Sequence, residues 1–564
     1  YMSDFQNKRK QQSFEYGAII LIVATALVKI IGAVFKIPLS NLIGDLGFGY
    51  FSSAYDLFLP IYSLAMAGLP IAVSRIVAEN IAVNRFKDVR QTLKIARKAF
   101  LVSGIVGFTL MLLLIYPFVK ITDPTGKTIY SIFAIAPNLI FCCIMSTYRG
   151  YYEGLRNMYP TAFSNVIEAL GKLILGYGFA FVVMKLTNNV AYAAAGAMLG
   201  ITVGSMCAAL YLRLNYKFKG DNITENELEA SADAIPQRTA LKGLIAIAIP
   251  VVLTSLANNV ASLIDVSMVK LQLSQLVENS ADYLREMYSE SIADFNSTAA
   301  TKLTDGGIPT FLYGIRGKAF TLYNLIPTIT SVLGVSALPV LASSWVVKDK
   351  SAIKKNIDSI IKMTALIAMP AGIGLAAISG PVMGLLYKST ASVEIGGPML
   401  SIFGIAAVFA GLSLPLTSML QAIGKQNVPV INIAIGAVIK IIVNYVLVGI
   451  PSINILGAPI GTLCCYLFIF FANILCLIKF TGVIPSIIKV FIKPLISSVF
   501  SGAAAWAVTS LSDSKIVTLA SIIVAGIVYL VCLIILNAFE EEDFTTIPMG
   551  KSIVKFCKKH KILR

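Results

Sequence analysis

Fourteen apolar stretches, each long enough to cross about 30 Å of bilayer hydrocarbon at roughly 20 residues per crossing, fill most of this 564-residue chain. They fall at 17–38, 50–78, 98–119, 128–148, 161–184 and 190–212, then at 241–272, 312–345, 358–380, 396–422, 428–449 and 453–478, and finally at 486–510 and 516–537. Lipid offers the backbone no hydrogen-bond partners, so apolar stretches of this length cross as helices. Composition agrees: 57% of residues are hydrophobic and 13% charged, against roughly 25% charged in soluble domains. The fold class this predicts is an all-α integral membrane protein with 14 transmembrane helices.

The spans are arranged as a duplication. Leu69-Pro70 in AGLPIAVSRIVAE matches Leu338-Pro339 in VSALPVLASS at an offset of 269, and RNMYP ending at Pro160 matches KQNVP ending at Pro429 at the same offset. Two six-helix lobes with equal span counts enter the membrane in the same orientation, which makes them parallel repeats about an axis along the membrane normal. The expected organisation is a cytoplasmic tail at 1–16, an N-lobe at 17–213, a cytoplasmic linker at 214–240, a C-lobe at 241–480, a C-terminal helix pair within 486–537 and a basic tail at 538–564. Carriers of this construction bind substrate between repeats, so a central cavity is expected. An offset of 229 between residues 25–36 and 254–265 assigns the length difference to an insertion at 273–311. Its acidic, amphipathic middle is expected to form a surface helix on the outer face. Bends are expected at Gly68 and Pro70 in span two and at Pro339 in span eight.

Basic residues crowd alternate loops: Lys8, Arg9 and Lys10, then Arg85 to Lys98, then Arg149 and Arg156, then Lys217, Lys219 and Arg238, then Lys348 to Lys355, and the tail from Lys551. The positive-inside rule makes these loops cytoplasmic and places both termini inside. The formal charge of +17 is then a topology signal directed at anionic lipid headgroups, and nucleic acid is excluded as a partner. No cleavable leader is expected, since the first apolar run is long and more spans follow it. The eight cysteines lie in spans or at cytoplasmic ends, which indicates neither disulfides nor a metal site.

An enzyme reading fails for want of chemistry. The single histidine, His560, lies in the basic tail. The phosphate-loop lookalike DPTGKT at 123–128 lacks the leading glycine and reads as an outer turn. With no nucleotide motif and no cofactor, uphill work draws on an ion gradient or on the membrane potential, which supplies about 2.3 kcal/mol per charge per 100 mV. A secondary transporter is expected.

Ionisable groups inside spans are costly, so each is a functional candidate. Lys29 and Lys36 stand two turns apart on one face of span one; Asp56 lies in span two, Arg316 and Lys318 in span eight, Lys440 in span eleven and Asp265 in span seven. Glu168 and Lys172 are one turn apart in span five, where they either pair structurally or line the cavity. Lys36, Arg316 and Lys270 lie near span ends, where snorkelling to headgroups is the plainer reading. Surplus lysines in a cavity suit an anionic group such as a pyrophosphate. Asp56, Asp265 and Glu168 are the polar or coupling candidates.

The run YRGYYEGLRNMYPTAFSNVIEALGK at 148–172, together with AGLPIAVSRIVAE at 67–79 and GKAFTLYNLIPTITSVLGVSALPVLAS at 317–343, resembles the stage V sporulation protein B family. These are polysaccharide-biosynthesis flippases of the multidrug, oligosaccharidyl-lipid and polysaccharide exporter superfamily, and fourteen spans resemble its MurJ-like lipid II flippase branch. The resemblance implies a bacterial plasma-membrane protein of MATE/MurJ-like fold. It would move a lipid-linked oligosaccharide, with lipid II as the first choice, from the inner to the outer leaflet by alternating access, with cell-wall synthesis proteins as further partners. It also implies a basic cavity: VKIIG puts Lys29 on a basic position of span one, and GIRGKAF puts Lys318 and Arg316 near that of span eight. Span two carries Asp56 where that branch has an arginine, and span eleven offers Asn432 and Asn444 rather than acidic residues, so no sodium site is assigned. Two alternatives of function stay open, a flippase for a capsule- or teichoic-type polyprenyl-linked unit and a multidrug cation antiporter; a third is a non-transporting scaffold.

Overall fold

The computed structural model describes residues 14–538 apart from 67, 222, 299–301 and 513; within that range the side chains of 14–23, 26, 29, 30, 33, 250, 251, 253–262, 298, 332 and 335–340 are outside the described set. The described residues form helices and connecting turns, with no strand among them, and 11 helices are long and apolar enough to cross a membrane. The expected spans at 17–38, 241–272 and 312–345 run over residues whose side chains are outside the described set, and helices occupy all three stretches. The chain divides into two compact units, Tyr1–Lys270 and Leu271–Arg564. The division falls inside the seventh apolar stretch, some way past the 214–240 linker where the sequence reading separates the lobes.

The first unit opens with α1 (Phe14–Met66), in which Gly44 adopts φ 69° and ψ −175°. The first two apolar stretches therefore join through one glycine, which alone adopts that conformation at low cost. Helix α2 (Leu69–Ala82) starts after Gly68 with Pro70 in its first turn, where the missing N–H of proline costs nothing. Gly68, where a bend is expected, is a turn position with φ −85° and ψ −14° directly before α2, and residue 67 lies outside the described residues. A β-carbon on Gly68 would sit 2.3 Å from the Ala248 carbonyl oxygen, so this position is held tightly against the seventh stretch. That contact, with Lys270 Nζ donating to Ser53 Oγ at 2.9 Å, explains why 241–270 belongs to the first unit.

Helix α3 (Phe86–Thr122) leads into the DPTGKT turn. There Asp123 accepts from the backbone and hydroxyl of Thr128 at 2.8 and 2.7 Å and from the Thr125 hydroxyl at 2.6 Å, which makes it a capped turn. Helices α4 (Thr128–Ile135) and α5 (Asn138–Gly154) are separated at Pro137. Helix α6 (Tyr159–Gly171), a π turn over Lys172–Gly176, and α7 (Tyr177–Thr187) together make the fifth apolar stretch. Helix α8 (Val190–Lys219) packs against it through glycines. A β-carbon on Gly171 would lie 2.5 Å from Gly204 Cα, and one on Gly200 would lie 2.4 Å from Gly176 Cα and N. Small residues let membrane helices approach backbone to backbone.

Between α8 and α10 (Gln237–Met287) lie the linker and the short α9 (Glu225–Glu229). The linker is strapped to the basic start of α3. Arg90 and Tyr151 both donate to Asp221, at 3.1 and 2.9 Å, and the Ile235 amide donates to Asp88 at 2.8 Å.

In the second unit the insertion is a continuation of α10, which runs to Met287 with a distortion at Ser280, followed by α11 (Ser289–Thr298). It is a docked element rather than a separate surface helix. Tyr288 donates to Asn454, Ser291 donates to Glu394, and Phe295 meets Phe311 edge to face at 5.3 Å between ring centroids. Its acidic side, with Glu278, Asp282, Glu286 and Glu290, stays exposed.

The eighth stretch is split into α12 (Ile308–Tyr323) and α13 (Leu325–Val347) at Asn324. Pro327 has no N–H to give the Tyr323 carbonyl, which accounts for the break. The expected bend at Pro339 has no counterpart in the helix assignment, which is continuous through that position; its side chain is outside the described residues. Helix α14 (Lys350–Ala377) is followed by the short α15 (Ser379–Leu386) and α16 (Thr390–Glu394), then by α17 (Gly396–Ala422). Helices α18 (Asn427–Val448) and α19 (Gly457–Thr481) pair tightly, and α17 and α19 are linked to α18 through a buried polar chain: Asn432 donates to Asn473 at 2.9 Å, which donates to Thr417 at 3.1 Å. The final pair, α20 (Lys493–Thr509) and α21 (Lys515–Ile535), docks on α14, with Tyr529 donating to the Leu366 carbonyl at 2.9 Å.

Large apolar side chains cover the outside. Leu113, Tyr116, Leu186, Trp506 and Ile535 are each more than 60% exposed. In a water-soluble protein such a surface would aggregate; here it faces hydrocarbon, and the chain is a multi-pass membrane protein.

Candidate functional site

In the second half of α1 the partly exposed residues are Ser52, Tyr55, Asp56, Leu59, Tyr62 and Met66, while Ala54, Leu57, Phe58 and Ile61 are buried. That spacing is one helical face. An aromatic row runs along the same segment: Phe51 stacks on Tyr55, Tyr55 lies against Phe58, and Phe58 lies against Tyr62, with centroids 6.2, 6.0 and 5.4 Å apart. Lys36, from before the Gly44 break, places its ammonium 5.8 Å from the Tyr55 ring centroid and within electrostatic reach of both Asp56 and Lys172. The break at Gly44 is what folds Lys36 back onto this face.

Across from it stands a charged triad. Glu168 on α6 receives Lys172 Nζ at 2.8 Å through one carboxylate oxygen and Arg149 Nη2 at 3.0 Å through the other. Arg149 comes from α5 and is fixed further by Ser164, to which its Nε donates at 2.9 Å. Lys172 is the first residue of the π turn, a distortion found often at functional positions. Side-chain exposure is 16% for Glu168, 13% for Arg149 and 25% for Lys172. They are neither packed core nor open surface. Tyr62 lies within electrostatic reach of Glu168, Arg149 and Tyr55, which ties the two walls together.

The structure thus brings Lys36, Asp56, Glu168 and Lys172 together, and adds Arg149. Sequence reading placed Arg149 in a cytoplasmic loop, because the apolar stretch ends at 148. The signal was Glu168, whose second oxygen needed a partner from elsewhere. Lys29 and Pro339 lie outside the described residues as far as their side chains go. Gly68 and Pro70 stand at the start of α2.

The remaining candidates are placed differently. Asp265 is buried at 4% exposure on α10. Lys270, expected to snorkel, is fully buried, and its bond to Ser53 replaces headgroup contact. Arg316 is likewise buried, its guanidinium 5.1 and 5.2 Å from the Tyr313 and Phe320 ring centroids. Lys318 is enclosed at 1% exposure, donating to Ser392 at 3.1 Å and lying 5.1 Å from the Tyr387 ring centroid. Lys440 on α18 is half-buried beside Asn444 and the α19 glycine Gly461. These side chains belong to the second unit apart from Asp265 and Lys270.

The all-helical fold, with a charged and aromatic helical face in its first unit, is that of a multi-pass membrane protein. Residues 16–345, more than half of the chain, match the family described as polysaccharide biosynthesis protein, and residues 316–446 match MatE. The chain belongs to the polysaccharide biosynthesis protein family. It is 26% identical over 557 residues to stage V sporulation protein B of Bacillus subtilis (strain 168), covering 97% of this chain and 100% of that one. It is 24% identical to the lipid II flippase MurJ of the same organism, over 79% of each chain. In fold it is similar to a lipid II flippase MurJ in an inward closed conformation, with a TM-score of 0.66, 14% identity and coverage of 92% of this chain and 98% of that one. An inward-facing MATE family transporter of the MOP superfamily gives a TM-score of 0.59 at 15% identity, covering 81% and 98%. The resemblance read from the three sequence runs is borne out.

Proposed function

We propose that the protein is a flippase for a polyprenyl-pyrophosphate-linked cell-wall precursor, carried from the inner to the outer leaflet of a bacterial plasma membrane, with lipid II as the first substrate to test. The observation that carries this reading is the convergence of Lys36, Arg149 and Lys172 on one partly exposed wall beside an aromatic row. Ammonium and guanidinium groups in a low-dielectric wall bind phosphate oxygens strongly, and the partly exposed Tyr55 and Tyr62 rings suit a glycan. The similarity in sequence to the lipid II flippase MurJ supports this substrate class. Transport proceeds by alternating access, with the pyrophosphate engaged at the cavity wall while the prenyl tail stays in lipid, and with the membrane potential or an ion gradient biasing the states. Both termini lie on the cytoplasmic side.

Reconstitution tests this. Purified full-length protein in liposomes, given a fluorescent lipid II in the inner leaflet, should accelerate its appearance in the outer leaflet, and Lys36→Gln with Lys172→Gln should return the rate to that of empty liposomes. Equal rates for wild type and the double variant would sink the reading. A second reading has one observation in its favour: the match to stage V sporulation protein B is end to end while that to MurJ covers 79%. It keeps the chemistry and replaces lipid II by another polyprenyl-linked glycan.

A further inference from the structure

The charged cluster of the first unit holds an arrangement that an anion-binding site does not need. Lys36 and Lys172 lie within electrostatic reach of one another, yet Lys172 is paired with Glu168 at 2.8 Å, and Asp56 lies within electrostatic reach of both Lys36 and Lys270. A site built only for affinity would omit those carboxylates, since they compete with the phosphate oxygens for the same donors. A carrier has a second requirement: it must return empty, and two uncompensated cations in a closing, dewetting cavity oppose that return.

Resting on the flippase reading, we infer that Glu168 is the internal stand-in for the substrate's diphosphate: it neutralises Lys172 in the empty carrier and gives it up when the diphosphate bridges Lys36 and Lys172. The geometry distinguishes the two partners of Glu168. Arg149 is clamped, with its Nε on Ser164 and a side chain 13% exposed, whereas Lys172 has 25% exposure and the single bond to Glu168. Arg149 therefore keeps hold of the displaced carboxylate, and Lys172 is the cation that turns to the ligand. Glu168 is a positioning residue on this account; it touches the cations and never the diphosphate.

The test is binding and turnover by the full chain in lipid nanodiscs and liposomes, with undecaprenyl pyrophosphate as the probe for binding and fluorescent lipid II for turnover. Glu168→Gln should bind the probe about tenfold more tightly, the scale of a close charge pair, and should turn over more slowly, so that KM and kcat fall together. Glu168→Asp, which keeps the charge, should restore both toward wild type. A purely structural Glu168 predicts weaker binding in Glu168→Gln, and that result overturns the inference. Adding Lys172→Gln to Glu168→Gln should abolish the gain in affinity; if the gain survives, the cation is another group and the inference fails. Should wild type bind no probe and Lys172→Gln change nothing, the flippase reading itself falls, and this inference with it.

Discussion

At the scale of single residues, the fate of each intramembrane charge is decided by what meets it. Glu168 is shared by two cations from different helices, and removing one of them leaves the carboxylate with half its compensation. Arg149→Ala should therefore lower the stability of the purified protein by about 2 kcal/mol, the magnitude of a charge-assisted hydrogen bond lost in a shielded site. Lys172→Ala should cost less, because its side chain is more exposed. Denaturation in detergent, followed by the loss of helical signal, measures both, and an Arg149→Ala variant as stable as wild type would remove Arg149 from the triad. The Glu168–Lys172 pair was legible in the sequence because a four-residue spacing puts both on one helical face. Arg149 was not, since a positive charge just past an apolar run reads as a loop residue. Lys270 and Arg316 show the opposite failure: a long side chain near a span end looks free to snorkel, and only three-dimensional packing reveals that Ser53, or Tyr313 and Phe320, hold the charged group.

At the scale of elements, glycine performs two separable tasks. Gly44 supplies a positive φ with nothing within 4 Å of an added β-carbon, while Gly200 supplies closeness, with an added β-carbon 2.4 Å from Gly176. Gly44→Ala should then cost about 1–3 kcal/mol, the cost of holding a side chain in a backbone conformation that essentially only glycine adopts. Gly200→Ala forces α8 away from the fifth stretch and should cost about 1–3 kcal/mol as overpacking, with Lys172 displaced as a consequence. Thermal melts together with lipid II turnover check both: each variant should lower the melt and the turnover, Gly44→Ala through Lys36 and Gly200→Ala through Lys172. A variant with an unchanged melt would contradict the account of its glycine. Hydropathy located the helices because period and length survive any packing arrangement. It could not locate the Asn324 interruption, since Pro327 competes for that role with the more conspicuous Leu338-Pro339, nor the docking of the insertion, whose buried side is specified by Asn454 and Glu394 far along the chain.

At the scale of the whole molecule, two landmarks at one offset lead the sequence reading to expect two lobes, and the chain divides into two compact units within the seventh stretch, where Gly68 and Ser53 hold that helix. The two proline landmarks sit differently: Pro70 lies in the first turn of a helix, and the position of Pro339 lies inside one. The charged groups of the two units also differ. Partly exposed ion pairs line a wall in the first unit, whereas Arg316 and Lys318 of the second are enclosed among aromatic rings. The most direct measurement of the central claim is made in bacteria depleted of their own lipid II flippase. Expression of this protein should restore lipid II on the outer leaflet, while the Lys36→Gln, Lys172→Gln variant, at equal membrane level, should not. Restoration by the variant as fully as by wild type would contradict the account.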